Sequence, residues 1–288
     1  MFELEPPPRS INVFGHEWRN WLFNVYRWIK ANMSRDFFVD VARGLVTGHS
    51  TIHKFGRNSA VGTSIEPICE GGFYRMPQAT ATVTLAAIST SASDTAAGTG
   101  ARQLTIIYLD STGAEQTGTI SMNGTTETTD TITGVLRVNR IFVSQSGSYA
   151  DQGTPSQAGV ITVRVSGAGA TWATLTQADT NFGNSQSLIG FYTVPLRKKA
   201  YILTAHATLD SGKTVDLYFF KRENILETAA PYSAFRLQNA YIGIDRTLYF
   251  GHSTYEEYPE LTDIGFMAKV STGTADVSVE FELLIIDN

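Results

Sequence analysis

Residues 277–285, VSVEFELLI, decide the fold. Val277, Val279, Phe281, Leu283 and Ile285 fall on one face and Ser278, Glu280 and Glu282 on the other, which is the period-two alternation of a strand with one face buried and one in water. Tyr201, Leu203, Ala205, Ala207 and Leu209 repeat the scheme. Extended along the chain, alternation predicts strands near 79–88, 103–110, 114–122, 135–144, 159–166, 171–177, 188–194, 199–209, 213–222, 261–271 and 275–287. No convincing helix follows residue 72. Asp110-Ser111-Thr112-Gly113, Asp210-Ser211-Gly212 and Ser271-Thr272-Gly273 each separate two alternating runs and are expected to be tight antiparallel connections. The composition agrees, because 35 Thr and 25 Gly favour strands and turns. The expected fold is therefore all-β, with an antiparallel β-sandwich or jelly-roll body over 73–288. The loop 145–158, QSGSYADQGTPSQA, offers a dividing line between two sub-sandwiches.

The chain ahead of the body has a different character. Pro6, Pro7 and Pro8 remove three backbone donors and fix φ, so residues 1–15 read as an extended arm. From His16 to about Asn32, Trp18, Trp21, Leu22, Val25, Trp28 and Ile29 recur at spacings of three and four, the stripe of an amphipathic helix. Three of the four tryptophans lie on it, flanked by Phe14 and Phe23. An isolated helix this short is marginal in water, whereas burying six such side chains is worth at most on the order of 10 kcal/mol. The face is therefore expected to dock, either on the chain's own β body or on a partner or neighbouring subunit. A membrane-surface helix would concentrate more Lys and Arg on its polar face. Residues 1–35 are assigned as an anchor arm and helix, and 36–72, punctuated by Gly44, Gly48, Gly56 and Gly62, as a connector.

Charge and cysteine content exclude several functions. The 288 residues carry 22 Lys+Arg and 27 Asp+Glu, a net charge of −5, without the basic balance of a nucleic-acid binder. Cys69 is the single cysteine, so no intrachain disulfide forms, and a reducing cytosol suits the chain. The acidic, Pro-rich start does not resemble a secretory signal, and no run of apolar residues is long enough to span a membrane.

Catalytic patterns are missing. No nucleophile elbow, P-loop or dinucleotide fingerprint occurs. His49 and His53 are four apart, but between glycines and without a neighbouring glutamate of metalloprotease type. Cys69 reads as an inert buried thiol, and Glu256-Glu257 as a solvated pair rather than the facing carboxylates a glycosidase needs. No catalytic residue, metal ligand or cofactor is assigned. In the loop 254–260, Tyr255 and Tyr258 are candidate sugar-stacking residues, and Tyr218-Phe219-Phe220 is an aromatic cluster expected to serve core and interface packing.

Five stretches carry a resemblance: HEWRNWLFNVYRWI (16–29), GHSTIHKFGRN (48–58), SDTAAGTGARQLTIIYLDSTGAEQTGTISMNG (93–124), LRVNRIFV (136–143) and TDIGFMAKVSTGTADVSVEFELLIIDN (262–288). With the Pro-rich arm, they resemble a family of tailed-bacteriophage virion structural proteins of the aquatic and marine type. HKFGRN at 53–58 and DTAAGTGAR at 94–102 are its most specific runs. The resemblance implies a non-enzymatic component of the particle, assembled in the host cytoplasm, with other virion proteins as partners and no catalytic residues to carry over. An arm and short helix ahead of a β body also resemble the attachment segments of short-tail fibres and adaptors. By that analogy the expected role is an appendage or adaptor of the tail or head–tail region, anchored by Trp18, Trp21, Leu22, Val25, Trp28 and Ile29, and forming a homo-oligomer with trimers as the first expectation. Capsid decoration is the alternative within that class. A carbohydrate- or receptor-binding module is the alternative outside it, and a hydrolase of host-surface polysaccharide is a third class.

Overall fold

A computed structural model describes residues 16–33, 36–151, 153–176, 184–210, 212–251 and 255–288. The predicted arm, residues 1–15, lies outside the described residues, as do His252 and Thr254. The chain separates into two compact units, 1–51 and 52–288.

The first unit contains helices α1 (His16–Met33) and α2 (Phe37–Ala42). The Asp36 side chain caps α2, accepting from the Phe38 and Val39 N–H groups at 2.9 and 3.3 Å.

The second unit is all-β and antiparallel. It begins with β1 (His49–Val61), which from Ile52 onward belongs to this unit, and β2 (Glu66–Pro67). Next come β3 (Val83–Ser89), β4 (Ala101–Leu109), β5 (Glu115–Ser121), β6 (Ile132–Val135), β7 (Arg137–Ser146), β8 (Ile161–Val165) and β9 (Thr171–Leu175). The last group is β10 (Phe191–Thr193), β11 (Lys198–Leu209), β12 (Val215–Arg222), β13 (Arg236–Ile244), β14 (Leu248–Gly251), β15 (Glu257–Tyr258), β16 (Asp263–Val270) and β17 (Ala275–Asp287).

Their pairing defines two sandwiches, one inserted into the other. In the outer one, a sheet ordered β1-β17-β11-β14 faces a sheet ordered β10-β16-β12-β13, with β15 added to β11 and β2 to β16. The outward-running strands β1, β10, β11 and β12 pair in turn with the returning strands β17, β16, β14 and β13. A long hairpin wrapped into two four-stranded sheets is a jelly roll. The inserted sandwich is continuous in sequence, with β6-β3-β8-β9 facing β5-β4-β7. The chain leaves the jelly roll after β2 and returns at β10. The boundary therefore falls at 68–82 and 176–190, and the loop 145–158 lies inside the inserted sandwich between β7 and β8.

Each sandwich has its own apolar core. Val277, Val279, Phe281, Leu283 and Ile285 point into the jelly-roll core with Phe219, Phe266 and Ile264, as the alternation requires. Leu85, Leu104, Ile106, Ile120, Ile141, Val163 and Trp172 fill the inserted one.

Three expectations need correction. First, 36–72 is not merely a connector, because it supplies β1, an edge strand of the jelly roll. Between Ile52 and Val61, which touch the core, the inward positions of β1 are Lys54, Gly56 and Asn58, so no apolar alternation marks it. Second, β11 has a bulge between Ile202 and Thr204 in its pairing with β17, which shifts the side-chain phase by one residue. The buried positions are Ala200, Ile202, Ala205 and Ala207, and Tyr201 is on the outer face. Third, only Asp110–Gly113 closes a hairpin, joining the paired strands β4 and β5. Asp110 Oδ1 accepts from the Thr112 N–H at 2.8 Å, and Gly113 takes φ +77°. The other two turns carry the chain between sheets, from β11 to β12 and from β16 to β17. These two corners hold each other, the Asp210 N–H donating to the Asp276 carbonyl at 3.1 Å and the Asp276 N–H to Asp210 Oδ2 at 3.0 Å.

The two sequence runs most specific to the resemblance both have structural roles. Buried Asp94 gathers a loop: its carboxylate accepts from the Ala101, Ala158 and Gly159 N–H groups at 2.7, 2.8 and 2.9 Å and from the Ser89 hydroxyl at 2.5 Å. In 53–58, Arg57 forms an ion pair with Asp276, and Asn58 Nδ2 donates to the Glu66 carboxylate at 3.2 Å.

Candidate functional site

The aromatic stripe forms a helix, as the spacing predicts. Leu22, Trp28 and Ile29 are exposed, Leu22 at 49% and Ile29 at 38%, and Trp18, Trp21 and Val25 are partly covered. Trp18 and Trp21 meet edge to face at 5.6 Å. Phe23 and Tyr26 are exposed as well, so Tyr26 widens the stripe. Phe23 lies on the helix flank beneath the Arg27 guanidinium, 4.9 Å from the ring centroid, while Arg27 Nη2 donates to Asn24 Oδ1 at 3.2 Å. No described side chain of α1 is buried, so the six candidate anchor residues present an apolar surface on the helix. Nor is any helix long and apolar enough to cross a membrane among the described residues.

The two candidate sugar-stacking tyrosines do not share a surface. Tyr255 is 57% exposed, but Tyr258 is 2% exposed. The Tyr258 ring packs edge to face on Phe219 at 6.0 Å and its hydroxyl donates to Glu256 at 3.3 Å, so Tyr258 is a core residue and not a sugar contact. Within the cluster Tyr218-Phe219-Phe220, Tyr218 and Phe219 are buried and Phe220 stacks on Phe235 at 4.8 Å.

The remaining polar candidates are held apart. Glu256 pairs with Lys221 at 2.6 Å, whereas Glu257 accepts from the Tyr201 hydroxyl at 2.6 Å, so the two carboxylates do not face each other. The ring of His53 bonds to Glu280 through Nε2 at 2.8 Å, and His49 Nδ1 donates to the Thr47 carbonyl at 2.9 Å. Among the described residues no group of three or more His, Cys, Asp or Glu side chains could hold a metal ion. Cys69 is buried, and burial pushes its thiol up to about 12, leaving it protonated and unreactive at neutral pH.

Sequence reasoning missed a polar junction between the two sandwiches. Arg137 of β7 is 1% exposed and grips Asp263 of β16 with two bonds, Nε to Oδ1 at 2.9 Å and Nη2 to Oδ2 at 3.0 Å. Its Nη1 donates to the Pro77 and Leu136 carbonyls at 2.8 and 2.9 Å. Thr193 of β10 donates its hydroxyl to Asp263 Oδ1 at 2.7 Å and its N–H to Asn139 Oδ1 at 2.9 Å, and Asn139 Nδ2 returns a bond to the Thr193 carbonyl at 3.1 Å. Burial opposes the charge on Arg137, but the adjacent Asp263 carboxylate outweighs it and holds the guanidinium pKa above its ordinary value. The sole sequence signal was the placing of Arg137, Asn139 and Arg140 within a strand run, LRVNRIFV, whose other residues are all apolar.

No family model matches the chain, and no curated protein matches it. Among solved structures, that of the infectious bursal disease virus Gt strain is 14% identical, covering 88% of this chain and 83% of that one with a TM-score of 0.20. The infectious bursal disease virus VP2 subviral particle is 13% identical, covering 83% of this chain and 76% of that one with a TM-score of 0.17. At these TM-scores the likeness leaves the assignment of function to the residues themselves.

Proposed function

We propose that this chain is a non-enzymatic structural component of a viral particle, an appendage or adaptor of the tail or head–tail region of a tailed phage, tethered through α1. The observation that carries the reading is the exposed apolar face of the helix. Leu22 and Ile29 stand half in water on a helix that none of its described side chains buries. Such an apolar stripe marks an interaction site, and aromatic side chains are the usual anchors of interfaces. The jelly roll is consistent with this reading, since the fold serves capsids as well as lectins, but a fold alone does not assign a function. Two rigid sandwiches provide shape, and no described cluster of side chains provides chemistry.

The test is incorporation. In phage made with a version lacking residues 1–33, or carrying Leu22→Glu with Ile29→Glu, the protein is expected to remain soluble and β-rich by circular dichroism but to be absent from purified particles by mass spectrometry. Incorporation at the normal level overturns the reading. Copy number in wild-type virions separates the two placements: a small ring's worth supports the tail or head–tail adaptor, and one copy per capsomer supports capsid decoration instead.

A further inference from the structure

A cavity of about 180 Å³ opens where the two sandwiches meet, lined by His53, Lys54 and Phe55 of β1, Arg140 of β7, and Gln186 and Ser187 of the segment returning to the jelly roll. Lys54 is 3% exposed. Its ammonium donates one bond, to the Asn139 carbonyl, and has two further N–H groups. Arg140 Nη2 donates to the His53 carbonyl at 2.6 Å. Ser187 Oγ accepts from the Ile141 N–H at 2.9 Å, which leaves its own hydroxyl proton available. Among the described residues, neither Lys54 nor Arg140 has a carboxylate within ion-pair distance. Glu280 of β17 is bonded to the ring of His53, one of the lining residues. Two cations thus converge on a cavity larger than a single water requires, with several donors and, among the described residues, no carboxylate within ion-pair distance of either cation.

We propose that this cavity binds a single oxyanion group, a sulfate, phosphate or carboxylate, between the Lys54 ammonium and the Arg140 guanidinium. The guanidinium offers a planar fork and the ammonium a point charge, a combination suited to such groups. The site is independent of the reading given to α1. Without a ligand, burial and, after it, the charge of Arg140 lower the Lys54 ammonium to about 7. The neighbouring Cys69 thiol supplies no compensating charge at neutral pH, and Glu280 faces His53 rather than Lys54. A bound anion restores the ammonium, so binding takes up a proton.

The test uses isothermal titration calorimetry on the full chain with sodium sulfate and, separately, sodium acetate, at constant ionic strength in chloride. Neither probe changes its charge between pH 6 and 8.5. Sulfate is expected to saturate one site per chain at pH 6 and to weaken by about thirty-fold at pH 8.5, as linkage to a group titrating near 7 requires. Arg140→Gln is expected to abolish binding, while Arg246→Gln, which removes an equal charge from an exposed loop, leaves it intact. Acetate binding with the same dependence identifies the physiological group as a carboxylate, and sulfate binding alone identifies a tetrahedral oxyanion. No saturable binding of either probe, an affinity unchanged across the pH range, or binding retained in Arg140→Gln overturns the proposal.

Discussion

Arg137 and Asp263 are the most consequential single residues, because each is buried and, among the described residues, has the other as its ion-pair partner. A buried ion pair gains little over a hydrophobic pair of equal volume, but removing one partner strands the other. Arg137→Ala is expected to lower stability by about 3–5 kcal/mol, measured by urea denaturation. The double change Arg137→Met with Asp263→Leu should recover most of that loss; if it is no better than the single change, the bridge itself holds the fold. Lys54 gives a second expectation. Its folded value is about 7 against an ordinary lysine value of 10.5, so between those limits the unfolded chain holds a proton the folded chain has released. Stability therefore rises with pH across that window, while below about 7 both states are charged and the fold bears the full cost of a buried ammonium. In chloride alone, the difference in unfolding free energy between wild type and Lys54→Met should shift in favour of wild type by a few kcal/mol from pH 6.5 to 10. Parallel pH profiles for the two proteins would reject this.

At the scale of elements, legibility followed burial. β17 could be read from the sequence because one face is apolar and buried and the other is polar. β13 could not, since most of its residues are exposed, and an edge strand that touches the core only through the partly buried Tyr241 and Ile244 shows no alternation. β1 was hidden for the opposite reason, because its central inward positions, between Ile52 and Val61, are occupied by polar residues and glycine with specific tasks. Lys54 reaches a backbone carbonyl, Asn58 bonds to Glu66, and Gly56 lets two chain segments touch. A Cβ on Gly56 would lie 2.2 Å from the Gly190 nitrogen and 2.4 Å from the Ile68 carbonyl oxygen, two atoms that hydrogen-bond to each other at 2.9 Å. Gly56→Ala is thus expected to cost at least about 1–3 kcal/mol, read as a lower urea midpoint at unchanged slope. A wild-type midpoint would show that the two backbones can separate freely. The helical stripe was legible because its residues are local. The cationic cavity was not, since Lys54, Arg140 and Ser187 come together only through the insertion.

At the scale of the molecule, the open question is whether two sandwiches with separate cores behave as one body. Local alternation is the same in both, so only long-range pairing shows that one interrupts the other. β10 joins them: Phe191 faces the inserted core and its neighbour Tyr192 the jelly-roll core. Tyr74 stacks on Phe191 at 4.6 Å, and its hydroxyl bonds to that of Thr193 at 3.0 Å. The same strand accepts the Asn139 pair, and β16 next to it accepts Arg137. Loss of either sandwich would expose one face of β10 and leave the surviving member of the Arg137–Asp263 pair without its partner, so the two should unfold together. Differential scanning calorimetry of residues 52–288 is expected to show one transition whose calorimetric and van't Hoff enthalpies agree. Phe191→Ala, which removes about 3–5 kcal/mol of packing from the shared strand, combined with Arg137→Ala, should split that transition in two. Two transitions already present in the wild-type protein would mean that the junction only docks the insertion and does not couple it.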